Sequence, residues 1–229
     1  MPERKNKFKV QVADESHLSF AQQICDEMES SARVRGTGIA KRSPEFIQRK
    51  MLEGKAVIAV ASGCRWAGFC YIESWSHGKF VANSGLIVSP EFRKSGLAGE
   101  IKAKIFRLSR TKYPQAKIFG LTTGLAVMKI NSDLGYEPVT YSELTNDEDF
   151  WAGCKSCVNY PILMQKERKN CLCTAMLYNP EQDSSLKKWK DTRFTDFKAN
   201  MHLHERYMRL KKSRLLKNIF QKAGQKEQK

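Results

Sequence analysis

Long apolar runs are missing from this sequence. Nowhere do about 18 consecutive apolar residues occur, so no transmembrane helix is expected. The opening Met1-Pro-Glu-Arg-Lys-Asn-Lys7 lacks the apolar core of a secretory signal, and a cytoplasmic location is expected. Cysteine is sparse and odd in number, seven in 229 residues. That argues against a disulfide scaffold and for a reducing compartment. No repeat of roughly 20–50 residues is visible, which excludes solenoids and propellers. Acidic residues are short, 24 Asp and Glu against 40 Lys and Arg, a net charge of +16. The imbalance is uneven: residues 186–229 hold 14 Lys/Arg against 4 Asp/Glu. A nucleic-acid reading therefore belongs to that tail and not to the body. What the chain does have is apolar mass. A hydrophobic fraction of 41% can fill a core and excludes global disorder.

The body reads as alternating strands and helices. Phe8 to Val12 alternates as a strand, and Asp14 can cap a helix from about Ser16 to Ser30. Ser43-Pro44 is a capping hydroxyl with proline in the first turn, starting a helix to about Glu53. Ala56–Ala61, Trp66–Trp75 and Lys79–Val88 follow as an antiparallel meander with short glycine turns. Leu97, Ile101, Ile105 and Leu108 recur at helical spacing. Ile118–Leu121 is a strand, Ala126–Leu134 a short helix ended by Gly135, Glu137–Tyr141 a strand, and Leu172–Tyr178 a last strand. The order predicts an α/β (α+β) fold, a mixed sheet with helices on its faces. Residues 8–180 are expected to form one domain, and 181–229 a basic, partly helical appendage.

The most informative stretch is strand, then Arg93-Lys94-Ser95-Gly96-Leu97-Ala98, then amphipathic helix. Free N–H groups at a helix start, with the helix dipole behind them, suit an anion. Gly96 and Ala98 let a phosphate approach the backbone, and Arg93 and Lys94 add charge. A cofactor diphosphate fits there.

This pattern resembles the acyl-CoA motif of the GCN5-related N-acetyltransferase (GNAT) superfamily, Arg/Gln-x-x-Gly-x-Gly/Ala. Ala126-Val-Met-Lys-Ile-Asn-Ser-Asp-Leu-Gly-Tyr-Glu-Pro-Val139 resembles the second motif of that family, a short helix ending in Leu-Gly-aromatic. The resemblance implies a mostly antiparallel sheet and direct transfer from an acyl-CoA thioester to an amine. It implies that Leu86, Ile87 and Val88 pair with the pantetheine arm, that the amides of Arg93 to Ala98 hold the diphosphate, and that a strand amide near Val88 polarises the carbonyl. Many members carry a tyrosine, proposed as the acid for the thiolate, where this chain has Asn131. An amide cannot deliver a proton at neutral pH. Another group or water then acts as the acid, or the thiolate leaves unprotonated. Tyr136 is an alternative acid, set against a core-packing role. Glu73 and His77 are candidate bases, set against ordinary surface roles.

A narrower resemblance concerns Arg-Gly-Thr-Gly-Ile-Ala-Lys-Arg42, the Asn131 helix and Asn-Cys-Leu-Cys-Thr-Ala-Met-Leu-Tyr178. They are similar to acetyltransferases associated with arginine-biosynthesis genes of Bacteroidetes. That implies glutamate as the acceptor, with acetyl-CoA or succinyl-CoA as donor. Arg33, Arg35, Lys41 and Arg42 lie in the loop that usually borders the acceptor, and guanidinium forks bind carboxylates. The competing enzyme reading is a protein or polyamine acetyltransferase. A non-catalytic reading is an acyl-CoA-binding regulator whose tail contacts nucleic acid.

Cys154-x2-Cys157 and Cys171-x-Cys173 make a four-thiolate set of the kind that binds zinc. If Val158–Gln165 paired as a hairpin with the last strand, the two halves would sit about 20 Å apart, at about 3.3 Å per residue. Inert thiols are therefore the favoured reading. For the tail, a partly helical appendage that packs on the body or on a second subunit is favoured over an interaction tail for nucleic acid or an anionic surface, and a homodimer is one reading of it.

Overall fold

The computed structural model describes residues 8–36 and 41–182. The basic tail, with its nucleic-acid and second-subunit readings, lies outside the described residues. So does the Arg35 side chain.

The chain begins with β1 (Phe8–Val12) and a 3₁₀ segment, Glu15–Phe20. Asp14 caps that segment by accepting from the Ser16 amide. It leads into α1 (Ala21–Arg35), which Gly36 ends in the left-handed conformation at φ 60°. The helix thus runs past the expected end at Ser30 and takes Arg33 and Arg35 out of the loop. Next come α2 (Pro44–Leu52), β2 (Ala56–Ala61), β3 (Arg65–Trp75), β4 (Phe80–Val88), α3 (Leu97–Lys112), β5 (Lys117–Thr122), α4 (Leu125–Asp133) and β6 (Glu137–Val139). Two short helices, α5 (Glu148–Ala152) and α6 (Tyr160–Gln165), precede β7 (Thr174–Tyr178). The hairpin considered for Val158–Gln165 does not form; Tyr160–Gln165 is α6. Pro161 explains the difference: it is at home in the first helical turn and would remove a ladder hydrogen bond from a strand.

The seven strands order as β1-β2-β3-β4-β5-β7-β6. Every neighbour is antiparallel except β4 with β5. Residues up to Pro180 form one compact unit.

Strand parity divides the core. Val57, Ala59, Cys70, Ile72, Val81 and Ile118 face α3, where Leu97, Ile101 and Ile105 are completely buried. Ile58, Phe69 and Tyr71 face α1 and α2, packing on Ile24, Met28, Ile47 and Met51. On that second face α5 and α6 cover the far end of the sheet, with Phe119, Tyr141, Trp151, Leu163 and Leu177. Each such side chain contributes roughly 1.5–3 kcal/mol when fully buried. The inner strands β2 and β3 are covered on both sides, which is why they read as continuous apolar runs.

Two irregularities open the site. The parallel pair β4–β5 holds register only over Phe80, Val81 and Ala82 against Lys117, Ile118 and Phe119, and the strands then part. On its other edge β4 bulges: Phe69 pairs with Ile87 and Tyr71 with Ser84, so β4 carries one extra residue at Gly85–Leu86. Gly85 sits at φ +63°, and a Cβ there would lie 2.4 Å from Tyr71 Cε1 and 2.8 Å from Met28 Cε. Only glycine satisfies both the angle and the space.

Candidate active site

Where β4 and β5 separate, a cavity of about 270 Å³ opens. Its walls come from β3 (Tyr71, Glu73, Trp75), β4 (Ala82 to Leu86), β5 (Phe119 to Thr122), Lys102 of α3, Asn131 of α4 and the 149–173 segment. The stretch ahead of α3 lies beyond the β4 end of this cleft. Gly96, at φ +87°, is the N-cap of α3. Neither Gly96 nor Gly99 has any atom within 4 Å of where a Cβ would stand. That leaves an open cradle at a sixteen-residue helix whose first N–H groups, before Gly99 donates to the Gly96 carbonyl at 2.9 Å, lack intrahelical acceptors.

Arg93 does not simply add charge to that cradle. Its Nε donates to the Val88 carbonyl at 3.1 Å, and its Nη2 donates to Glu27 Oε1 at 2.5 Å and Ser31 Oγ at 2.9 Å. It fastens the loop to α1. Ser95 Oγ donates back to the Phe92 carbonyl at 2.7 Å, closing the turn. Lys94 is exposed, at φ 61°. Leu97 is buried in the core beneath α3, so of this motif the backbone, and not that side chain, faces outward. Val88 is held in the ladder opposite Gly68, whereas the cavity reaches Leu86 in the bulge. The strand amide nearest the cavity therefore belongs to the bulge, two residues before the expected Val88, and Ile87 turns its side chain into the α1–α2 core.

Of the loop's cations whose side chains are described, Arg42 alone reaches the cavity. Arg42 lines the cavity, donating from Nη2 to Glu73 Oε1 at 3.0 Å and from Nε to Tyr71 Oη at 3.1 Å. Both charged side chains are mostly buried, 19% and 14% exposed. Burial works against the charge on Arg42, but Tyr71 and Glu73 outweigh it and hold its pKa above the ordinary value. Lys41 instead pairs with Glu29 on the surface at 3.0 Å, and Arg33 with the same carboxylate at 3.3 Å. Two expected site residues thus meet each other: Arg42, read as a carboxylate clamp, and Glu73, read as a base. Trp75, Phe119 and Phe150 pack beside them as an apolar wall, with ring centres 5.1–5.7 Å apart, Phe150 edge to face with the other two and Trp75 tilted on Phe119.

His77 falls away from this cavity. It is exposed at φ 55° in the turn after β3, in a separate shallow cleft with Tyr113 and Asp147. Tyr136 is buried, and its hydroxyl donates to Asn83 Oδ1 at 3.0 Å. Burial raises its pKa well above the ordinary value, so it is a weaker acid than a free phenol. Asn131, also buried, lines the cavity, and its Oδ1 has no hydrogen-bond partner among the described residues.

The four cysteines line one end of the same cavity. Burial pushes Cys154 up to about 11 and Cys173 up to about 12, which leaves both as neutral thiols near pH 7. Among the described residues no three His, Cys, Asp or Glu side chains are grouped to hold a metal ion. Because α6 stands in place of a hairpin, Cys154 and Cys157 reach the same cavity end as Cys171 and Cys173, and the separation of about 20 Å that a hairpin would impose does not arise.

Lys102 was not among the expected site residues. It is 2% exposed, on α3, and it lines the cavity. The available signal was its place three residues before Ile105 and seven before Ser109, both buried on the sheet-facing side. Burial pulls its pKa down to about 8 from 10.5. Between those two pH values the folded state binds fewer protons at this site than the unfolded chain. Stability then rises with pH through that window, and below it the buried charge is a cost. Lys102→Met is therefore expected to be more stable than the natural protein near about pH 7, with the gain shrinking towards about pH 10. Thermal melts across that range check it; a gain that stays constant would contradict it.

No protein-family model matches the sequence, and no curated protein matches it; the likeness is to solved structures. N-acetylglutamate synthase from Neisseria gonorrhoeae, solved with coenzyme A and N-acetyl-glutamate, superposes with a TM-score of 0.55 at 14% identity over 77% of this chain. This chain spans 36% of that synthase. A GNAT-family acetyltransferase from Staphylococcus aureus gives 0.54 at 9% identity, covering 76% of this chain and 99% of that one. The yncA protein of Salmonella typhimurium, solved with its cofactor acetyl-CoA, gives 0.52 at 12% identity over 76% of this chain and 94% of its own. The chain has the fold of the GNAT acetyltransferases.

Proposed function

We propose that this chain is an acyl-CoA-dependent N-acyltransferase acting on the amine of a small amino acid, with L-glutamate the leading acceptor. The observation that carries the reading is the parting of β4 from β5 beside the Gly85–Leu86 bulge, with the open Gly96 cradle beyond it. The cleft, the bulge and the cradle fit an acyl-CoA. The amides of Gly96 to Ala98 would hold its diphosphate, Arg93 keeps that loop in place, and the cleft edge of β4 takes the arm. When bound, the acyl-CoA supplies an activated thioester carbonyl. A backbone amide in the bulge then donates to that carbonyl and favours the oxyanion that forms.

The acceptor half rests on the Arg42–Glu73 pair. Opposite charges 3.0 Å apart match the carboxylate and ammonium of a zwitterionic amino acid. Arg42 orients the carboxylate. The Glu73 carboxylate takes the proton that the amine must lose before it attacks. A polyamine offers no carboxylate to Arg42. The donor, acetyl-CoA or succinyl-CoA, is left to experiment.

The test is mass spectrometry of products after mixing the protein with L-glutamate and either donor. Acylated glutamate is the expected result. Binding of CoA without any product from amino acids would return the regulator reading, and a product on polyamine or protein amines would replace the acceptor.

A further inference from the structure

The reading above leaves one step without a residue. When the carbon–sulfur bond breaks, the electron pair stays on sulfur, and the thiolate needs a proton or a cation. Asn131 can supply neither a proton nor a charge.

Lys102 stands where that need arises. Its Nζ lies 4.0 Å, and Asn131 Nδ2 3.8 Å, from the point where a Gly120 Cβ would stand. The two side chains therefore flank one spot on β5, just past Phe119, the last residue it pairs with β4. Both are almost fully buried and both line the cavity. Among the described residues the Lys102 ammonium meets the face of Tyr136 at 5.1 Å and no hydrogen-bond acceptor. A buried ammonium without a hydrogen-bond partner is costly, and on the same helix face Leu97, Ile101 and Ile105 are apolar while Ser109 is bonded to Asn83 and the Ile105 carbonyl. Glycine at 120 keeps the space between the two side chains clear.

We propose that Lys102 is the general acid of this enzyme, donating an N–H proton to the sulfur of the departing CoA. The inference rests on the acyltransferase reading. The balance is simple. The ammonium first gives one proton to Glu73, which releases it to water; the neutral amine then attacks the carbonyl carbon and gives its second proton to the Glu73 carboxylate. The carbon–sulfur bond breaks, the sulfur takes one proton from Lys102, and the neutral amine left at Nζ regains a proton from water once the site opens.

The surroundings suit this role. The ionisable groups facing Lys102 are the Cys70 thiol on β3 and the Tyr136 phenol ahead of β6. Burial lifts Cys70 to about 11 and Tyr136 well above its ordinary value, so both are neutral near pH 7 and leave the ammonium as the local charge. With its own pKa near 8, Lys102 is close to an ordinary thiol at about 8.5, so the proton moves nearly downhill or level.

The test compares CoA with desulfo-CoA, which lacks the sulfur, by calorimetry near about pH 8. The natural protein should bind CoA about tenfold more tightly than desulfo-CoA, and ultraviolet titration should show the bound thiol ionising at lower pH than free CoA. Lys102→Met should bring the affinity ratio to about one, leave desulfo-CoA affinity unchanged, and lower kcat roughly 100-fold. An unchanged ratio in Lys102→Met, or a bound thiol that ionises no earlier than the free one, overturns the proposal. The thiol titration needs no variant, so it decides even if the substitution fails to fold. A protein that binds neither ligand would sink the acyltransferase reading itself, and this proposal with it. Binding of both ligands equally well would sink only the proposal.

Discussion

Gly85→Ala is expected to melt roughly 5–15 °C below the natural protein, the shift that about 2–4 kcal/mol produces in a chain of this size. Two costs add. The new side chain must adopt φ +63°, which only glycine takes without strain. Its Cβ would also stand 2.4 Å from Tyr71 Cε1. Tyr71 cannot step aside, because it is 2% exposed, wedged against Phe46 and Phe69, and holding Arg42 through its hydroxyl. Overpacking of that kind costs about 1–3 kcal/mol. If the bulge relaxes to relieve the clash, the amide at Leu86 moves and CoA affinity falls with the melting temperature. Scanning calorimetry with and without CoA checks both. A variant melting within about 2 °C of the natural protein would show that the bulge tolerates a side chain.

Arg42→Ala should lower kcat/KM for the amino-acid acceptor roughly 100-fold while leaving CoA affinity within about twofold. The guanidinium touches Tyr71, Glu73 and, at 3.8 Å, the position of a side chain at Gly153. Removing it leaves Glu73 buried without its partner, a change that costs about 3–5 kcal/mol where the pair is fully dry and less where, as here, some water reaches it. Arg42→Lys should recover little, since a single ammonium cannot span Nε and Nη2 contacts to two residues. Steady-state kinetics with acceptor and donor varied in turn separates the two effects. Equal losses for both substrates would mean that Arg42 holds the fold and not the acceptor.

Much of the fold was legible because its signals are local. The alternation of β2 to β4, the Ser43-Pro44 start and the apolar stripe of α3 each depend on neighbours in the chain. The phosphate loop was legible for the same reason. What escaped needed contacts across the sequence. Arg42 and Glu73 lie 31 residues apart, and nothing near either announces the pair. His77 looked well placed after a central strand, but a left-handed turn swings it out of the site. Lys102 was passed over because a lysine at the edge of an apolar stripe ordinarily snorkels to water. Here the sheet and Tyr136 close over it.

The order β5-β7-β6 has a consequence for how the molecule is made. Among the described residues β6 has no neighbour except β7, which pairs Ala175 to Leu177 with it on one side and Thr174 to Tyr178 with β5 on the other. A growing chain that has emerged only to Asn170 has already released β6 but gives it nothing to join. The meander and α3, which carry the cradle, can assemble early from contacts close in the chain. The wall bearing Asn131 and Tyr136 waits for residues 174–178, so the Gly96 cradle is expected to form before the β4–β5 cleft is complete, and a ribosome stalled between them would display the one without the other.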